Sequence, residues 1–433
     1  MRLPDNRHAT AIAGALAVIS LMTALPASAA VTGVRIGRAI QLRLPLSAAK
    51  RASSVLLTVD CAGAGACLAG GSYSPREYRS FAMIARESGG HFAQASKLRR
   101  PAGALESDVA SVDCTAVSTC TAVGGYFTIG SESGFAVTES AGRWQRPHTI
   151  SPPTSGGLPQ LITLNAVSCF AAGSCEAVGV DEQGQGFDPI TVTESHGIWS
   201  RSRLLRLPPN GVVGALLSIS CPRHGYCVAV GDYVDNANSG TDMAAVEWHG
   251  KWQRAHQIQL PRGAAGGIGQ QSNLGSVSCT GVGSCLAVGS YDNAAGHSVP
   301  MLVIESHGRW ARPRAVSARP ANANARRNST LDSVSCRRTG SCLGLGSYFT
   351  KSGRPETMFV TLAPGHRAAA AELRLPPNGA SAGEPANAST AGAVDCTSAW
   401  YCAAGGIYKT TSGREEAWTA TTPLRQRGRN QRQ

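Results

Sequence analysis

Three observations predict an all-β chain folded as a seven-bladed β-propeller of four-stranded antiparallel blades, its N-terminal strand closing the last blade. All 14 cysteines fall into one pattern, Cys-x5-Cys, written seven times. Each copy carries four short strand-like runs separated by Gly, Ser and Asn turns, the signature of hairpins. The seventh copy lacks a fourth run, and a stray one stands before the first copy. A repeat of this length is a supersecondary unit, and a ring of such units leaves only short, protected sheet edges. With 50 Gly and 15% charged residues among 433, the composition also opposes a helical bundle.

Residues 1–30 read as a secretory leader. Arg2, Arg7 and His8 precede an apolar run from Ala9 to Leu25, then Pro26 and the small-residue site Ala27-Ser28-Ala29-Ala30. Removal of this leader would leave a secreted, extracellular chain outside the reducing cytosol, without a transmembrane segment. Residues 31–53 supply the closing strand and a linker. Arg38-Ala39-Ile40-Gln41-Leu42-Arg43-Leu44-Pro45 matches the fourth-strand pattern Ala255-His256-Gln257-Ile258-Gln259-Leu260-Pro261.

The propeller is expected over 31–424, with repeats starting near 54, 108, 163, 215, 273, 330 and 390. In each, the first strand ends at the leading cysteine, as in Ser276-Val277-Ser278-Cys279. The second begins at the trailing cysteine and closes on glycine, as in Cys285-Leu286-Ala287-Val288-Gly289. The third is apolar and ends in a turn, and the fourth is one run from tryptophan to proline, as from Trp252 to Pro261. Residues 425–433 form a basic tail.

Seven disulfides within blades are expected, because five residues between strand ends make a short hairpin loop. They would join Cys61 with Cys67, Cys114 with Cys120, Cys169 with Cys175 and Cys221 with Cys227. The remaining three would join Cys279 with Cys285, Cys336 with Cys342 and Cys396 with Cys402. Zinc prefers closer spacing and four ligands, and redox cysteines are usually two residues apart. The net charge of +13 comes almost wholly from scattered arginines. No nucleic-acid-binding motif accompanies it, so nucleic acid is not expected as a partner.

The repeats resemble secreted bacterial propellers of the kelch and Asp-box (sialidase-like) type. The resemblance rests on Val123-Gly124-Gly125-Tyr126 followed by the run from Ala136 to Trp144, and on turns such as Ser306-His307-Gly308-Arg309-Trp310. It implies architecture over the whole mature chain. The Asp-box aspartate is missing and Phe92 replaces the tryptophan in the first repeat, so the resemblance implies no sialidase residues.

Residues recurring in every blade, such as Tyr73, Tyr126, Tyr233, Tyr291, Tyr348 and Tyr408, read as structural, as do His196, His249 and His307. Function is expected on the face with the long, variable loops. Acidic residues gather there, and Asp181, Glu182, Asp188, Asp232, Asp235, Asp242 and Asp292 are the candidates for a cation or polar-ligand site across blades three to five. Carboxylates on neighbouring loops could bind calcium or act on glycosides. No cofactor is otherwise implied, and no catalytic motif stands out. The resulting expectation is a monomeric extracellular binding module for a glycan, an envelope polymer or a protein, more a binder than an enzyme. The alternative is a carbohydrate-active hydrolase or lyase with its site at the loop face of the channel.

Overall fold

A computed structural model of the chain describes residues 36–423, apart from 50–51, 77–78, 154–160, 184–185, 266–270, 338–339, 380–388 and 399–400. The expected leader and basic tail lie outside the described residues. Seven antiparallel sheets follow one another along the chain. Their first strands are Ser53–Gly63, Ser111–Ala116, Leu161–Ala171, Gly211–Arg223, Ser272–Gly281, Ser333–Cys336 and Ser389–Ser398. Each first strand touches the first strand of the next blade, and the seventh touches the first. The ring is therefore closed around a channel lined by first strands.

The closing strand is where the sequence places it. Ile40 and Gln41 pair with Thr419 and Trp418, completing blade seven as its fourth strand. The Arg38 guanidinium then donates to the Leu375 carbonyl of blade six at 3.2 Å. The same rim contact recurs where Arg201 reaches Pro152, Arg254 reaches Leu207 and Arg312 reaches Leu260. Part of the scattered positive charge is thus spent holding neighbouring blades together. In blades one to five the fourth strand leaves its ladder at this point, so the expected single run is two pieces, as with Lys251–Trp252 and His256–Ile258, whereas blade six keeps the single run Ala369–Leu373.

Every blade is sandwiched between two others, so both faces of its strands are buried. Val178 of blade three, for example, packs with Leu216, Ala229 and Met243 of blade four. All seven disulfides join cysteines of one blade, as the spacing predicts. Cys61 is bonded to Cys67, Cys114 to Cys120, Cys169 to Cys175 and Cys221 to Cys227. Cys279 is bonded to Cys285, Cys336 to Cys342 and Cys396 to Cys402. In each pair the leading cysteine ends or nearly ends the first strand. Its partner, whether Cys67, Cys120, Cys175, Cys227, Cys285, Cys342 or Cys402, opens the second and is buried. These cysteines clasp the framework and take no part in a ligand site.

The glycine expected to close each second strand instead lies within it, as Gly231 does in Tyr226–Asp235, and it answers a bulge in the first strand. A Cβ on Gly231 would lie 2.0 Å from the Ala215 carbonyl oxygen, where the pairing slips between Leu216 and Ser218. Only glycine permits that approach.

Candidate functional site

The residue before each leading cysteine accepts the N–H of the next blade's cysteine. Ser168, Ser220, Ser278 and Ser335 do this with hydroxyls, and Asp60 and Asp395 with carboxylates. Asp113 takes the Cys169 N–H in the same way. Burial, reinforced by mutual repulsion, holds Asp60 well above the ordinary carboxylate range. Desolvation likewise lifts Asp113 to about 7. This ring of equivalent bonds is part of the framework, and the repeated tyrosines belong with it. The Tyr233, Tyr348 and Tyr408 hydroxyls each donate to a turn asparagine, Asn210, Asn322 or Asn378. His196, His249 and His307 occupy left-handed turn positions with φ of 53°, 52° and 53°.

The opposite, loop-bearing end of the blades breaks the repeat most clearly at blade two. Asp108 stands at the top of the channel wall, where the other blades carry Val55, Thr163, Ala215, Asn273, Thr330 and Thr390. Its N–H donates to the Gly125 carbonyl, and Gly125 pairs across the hairpin with Gly134. A Cβ on Gly125 would lie 3.4 Å from Glu132 Oε1 and 3.5 Å from Asp108 Oδ1. The two carboxyl groups therefore converge over one glycine, with those oxygens less than about 7 Å apart. Thr163 of blade three donates its hydroxyl to Glu132 Oε1 at 2.9 Å.

Electrostatics separates this pair from ordinary surface acids. Desolvation, then the Glu132 charge, lifts Asp108 to about 6. Glu132 is raised too, by burial and by Glu182, against the Thr163 hydrogen bond. Phe127 lies cross-strand from Glu132 and two residues from Gly125, so its exposed ring shares their face of the sheet. Carboxyls beside an exposed aromatic face offer hydrogen-bond acceptors and an apolar platform together.

The residues singled out from the sequence pair up blade by blade. Asp181 and Asp188 are cross-strand neighbours in blade three, and Asp181 is fully buried. Asp232 and Asp242 oppose each other in blade four. Burial lifts Asp242 to about 8, with Ser272 and Leu274 beside it. Asp235 caps its own turn by accepting the Ala237 and Ser239 N–H groups, and Asp292 accepts the Ser298 hydroxyl at 2.9 Å. Glu182 contributes to the blade-two pair through its charge. Among the described residues no group of three His, Cys, Asp or Glu side chains is placed to hold a metal ion. Asp108 and Glu132 escaped the sequence reading, although Asp108 interrupts a column of neutral residues and Gly125 is the second glycine of the quoted pair.

Fold and site together define a disulfide-clasped seven-bladed propeller with a carboxyl pair at its loop face. No family model matches the sequence, and no curated protein matches it. The structure is similar to that of a protein of unknown function from Dyadobacter fermentans, with a TM-score of 0.48 and 10% identity over 90% of this chain and 99% of that one. It is also similar to the Hadza microbial sialidase Hz136, with a TM-score of 0.46 and 11% identity over 80% and 74%. A third is the Penicillium chrysogenum α-L-arabinanase complexed with arabinobiose, with a TM-score of 0.39 and 9% identity over 89% and 98%. Two of the three carry enzyme names, a sialidase and an arabinanase, against the expectation that the chain is more a binder than an enzyme; at 11% and 9% identity the likeness itself shows the fold alone. The physical reason is that a propeller leaves its loop ends free to carry either role.

Proposed function

We propose that the chain is a carbohydrate-active propeller, a glycoside hydrolase or lyase, with Asp108 and Glu132 as its paired carboxyl groups at the loop face. The convergence of these two side chains over Gly125 carries the reading. A separation of about 5–9.5 Å suits glycoside cleavage, the shorter end going with a covalent intermediate and the longer with direct attack by water. Asp108, pushed up to about 6, keeps its proton in mildly acidic solution and would protonate the leaving oxygen. Glu132, oriented by Thr163, would serve as base or nucleophile. Phe127 would stack on a sugar ring. Seven disulfides agree with an oxidising, extracellular setting.

The test is a panel of plant, fungal and bacterial glycans, read by release of reducing ends and by calorimetry. Asp108→Asn and Glu132→Gln are expected to lower turnover by about a hundredfold or more while leaving the fold intact. The parent should show a rate that declines above about pH 6, as Asp108 loses its proton. Binding without product release, or turnover indifferent to both substitutions, would overturn the assignment.

A further inference from the structure

The connection from blade one to blade two, which runs into Asp108, passes a cluster of cations that no other blade has. Opposite the repeated tyrosine, blade one carries Phe81, where blades two, four, five, six and seven carry Ser133, Thr241, Val299, Glu356 and Glu416. In blades six and seven that glutamate pairs with an arginine, Arg354 or Arg414. In blade one the cations meet a ring instead. The Lys97 ammonium lies 4.0 Å and the Arg100 guanidinium 4.7 Å from the Phe81 centroid, and Tyr73 packs edge-on against the same ring. Each cation is attracted by the ring's quadrupole, yet the two repel each other. Among the described residues no carboxylate forms an ion pair with Lys97, Arg99 or Arg100.

These three side chains and the turn after them line an open pocket of about 450 Å³. Arg100 is oriented by donating from Nη1 to the Leu105 carbonyl at 2.9 Å. The Leu105 N–H in turn donates to the Phe127 carbonyl at 2.8 Å, and Phe127 lies cross-strand from Glu132. Leu105 is thus two strand spacings, about 10 Å, from Glu132.

We infer that this pocket seats the anionic group of a sugar flanking the one that is cleaved, so that the substrate is an acidic polysaccharide charged by carboxylates or by sulfate esters. The inference rests on Asp108 and Glu132 as the cleaving pair. An anion between Lys97 and Arg100 offsets their repulsion over Phe81 and accepts from the remaining N–H groups of Arg100, whose planar fork suits such oxygens. Burial, then the Arg100 charge, holds the Lys97 ammonium below its ordinary value, as befits a cation without a counter-charge. The carboxyl pair would repel a charge at the point of cleavage itself. At about 10 Å that repulsion is largely screened by physiological salt.

Calorimetry on the full chain, and on Asp108→Asn to hold substrate without cleaving it, tests this. The probes are polygalacturonate oligosaccharides, their neutral methyl esters and carrageenan oligosaccharides, which carry sulfate alone. One acidic set should bind about tenfold or more tighter than the methyl esters, polygalacturonate if the pocket takes carboxylates and carrageenan if it takes sulfates. Lys97→Gln should remove that advantage and Lys97→Arg restore it. Lys251→Gln, which deletes an equal charge exposed on blade four, should not change it. No preference for either acidic set, an unchanged preference in Lys97→Gln, or an equal loss in Lys251→Gln would overturn the pocket. Failure of the cleavage reading is distinguishable. A Lys97-dependent preference without release of reducing ends keeps the pocket and removes the role of the pair, whereas turnover of neutral glycans indifferent to Lys97 does the reverse.

Discussion

The two ends of each blade solve different problems. At the disulfide end one solution is used seven times, with a cysteine clasp and a side-chain acceptor for the next blade's N–H. At the loop end the blades diverge, and blade two alone brings Asp108, Gly125 and Glu132 together. Repetition marks what the ring needs to stay closed, since side chains repeated around a ring cannot converge. Departure from the repeat marks where chemistry can be placed. The disulfide end adds a second contrast, because its acceptor is a hydroxyl in four blades and a carboxyl in three consecutive ones, Asp395, Asp60 and Asp113.

Substitution of glycines at the two kinds of position should break this comparison most sharply. Gly231→Ala sets a methyl 2.0 Å from a backbone oxygen, and chemical denaturation should show a loss of about 3 kcal/mol or more. Gly125→Ala meets only ordinary contacts. Its stability should change by less than about 1 kcal/mol, while ligand binding at the carboxyl pair is lost. Equal stability losses would remove the distinction between framework and site glycines.

Asp113→Ser sharpens the second contrast by installing the residue that four other blades use. The folded-state carboxyl is raised from 3.8 to about 7. Its contribution to stability is therefore complete below about pH 4 and is lost as the pH rises through 7. Thermal midpoints of parent and variant should agree near pH 4 and separate in favour of the variant by pH 8. A variant less stable at pH 8 would show that the carboxylate is the better acceptor there. The smallest effect belongs to the rim. Arg254→Ala removes one exposed hydrogen bond to Leu207, and a loss of about 0.5–1 kcal/mol is expected in denaturant titration.

Much of the architecture was legible because its causes are local. A cysteine at each strand end, a glycine where the first strand bulges and a tryptophan opening the fourth strand all leave marks at fixed spacing. The break in the fourth strand was not legible, because it depends on carbonyls of the neighbouring blade, such as Leu207 and Leu260. The site was read only in part. Clusters of aspartate in blades three to five drew attention, yet Asp235 and Asp292 serve their own turns, while Glu182 acts on the blade-two pair. Asp108 and Glu132 are 24 residues apart along the chain, and nothing in either local context marks them as partners.

The amino-acid sequence by itself determined the number of blades, the cysteine partners and the strand that closes the ring, because each follows from spacing within one repeat. The fold decided that the Asp108 and Glu132 carboxyls meet at Gly125 and which arginines hold the rim. Those meetings cross a hairpin or a seam, where proximity is set by how twisted sheets stack around an axis and distance along the chain no longer reports distance in space.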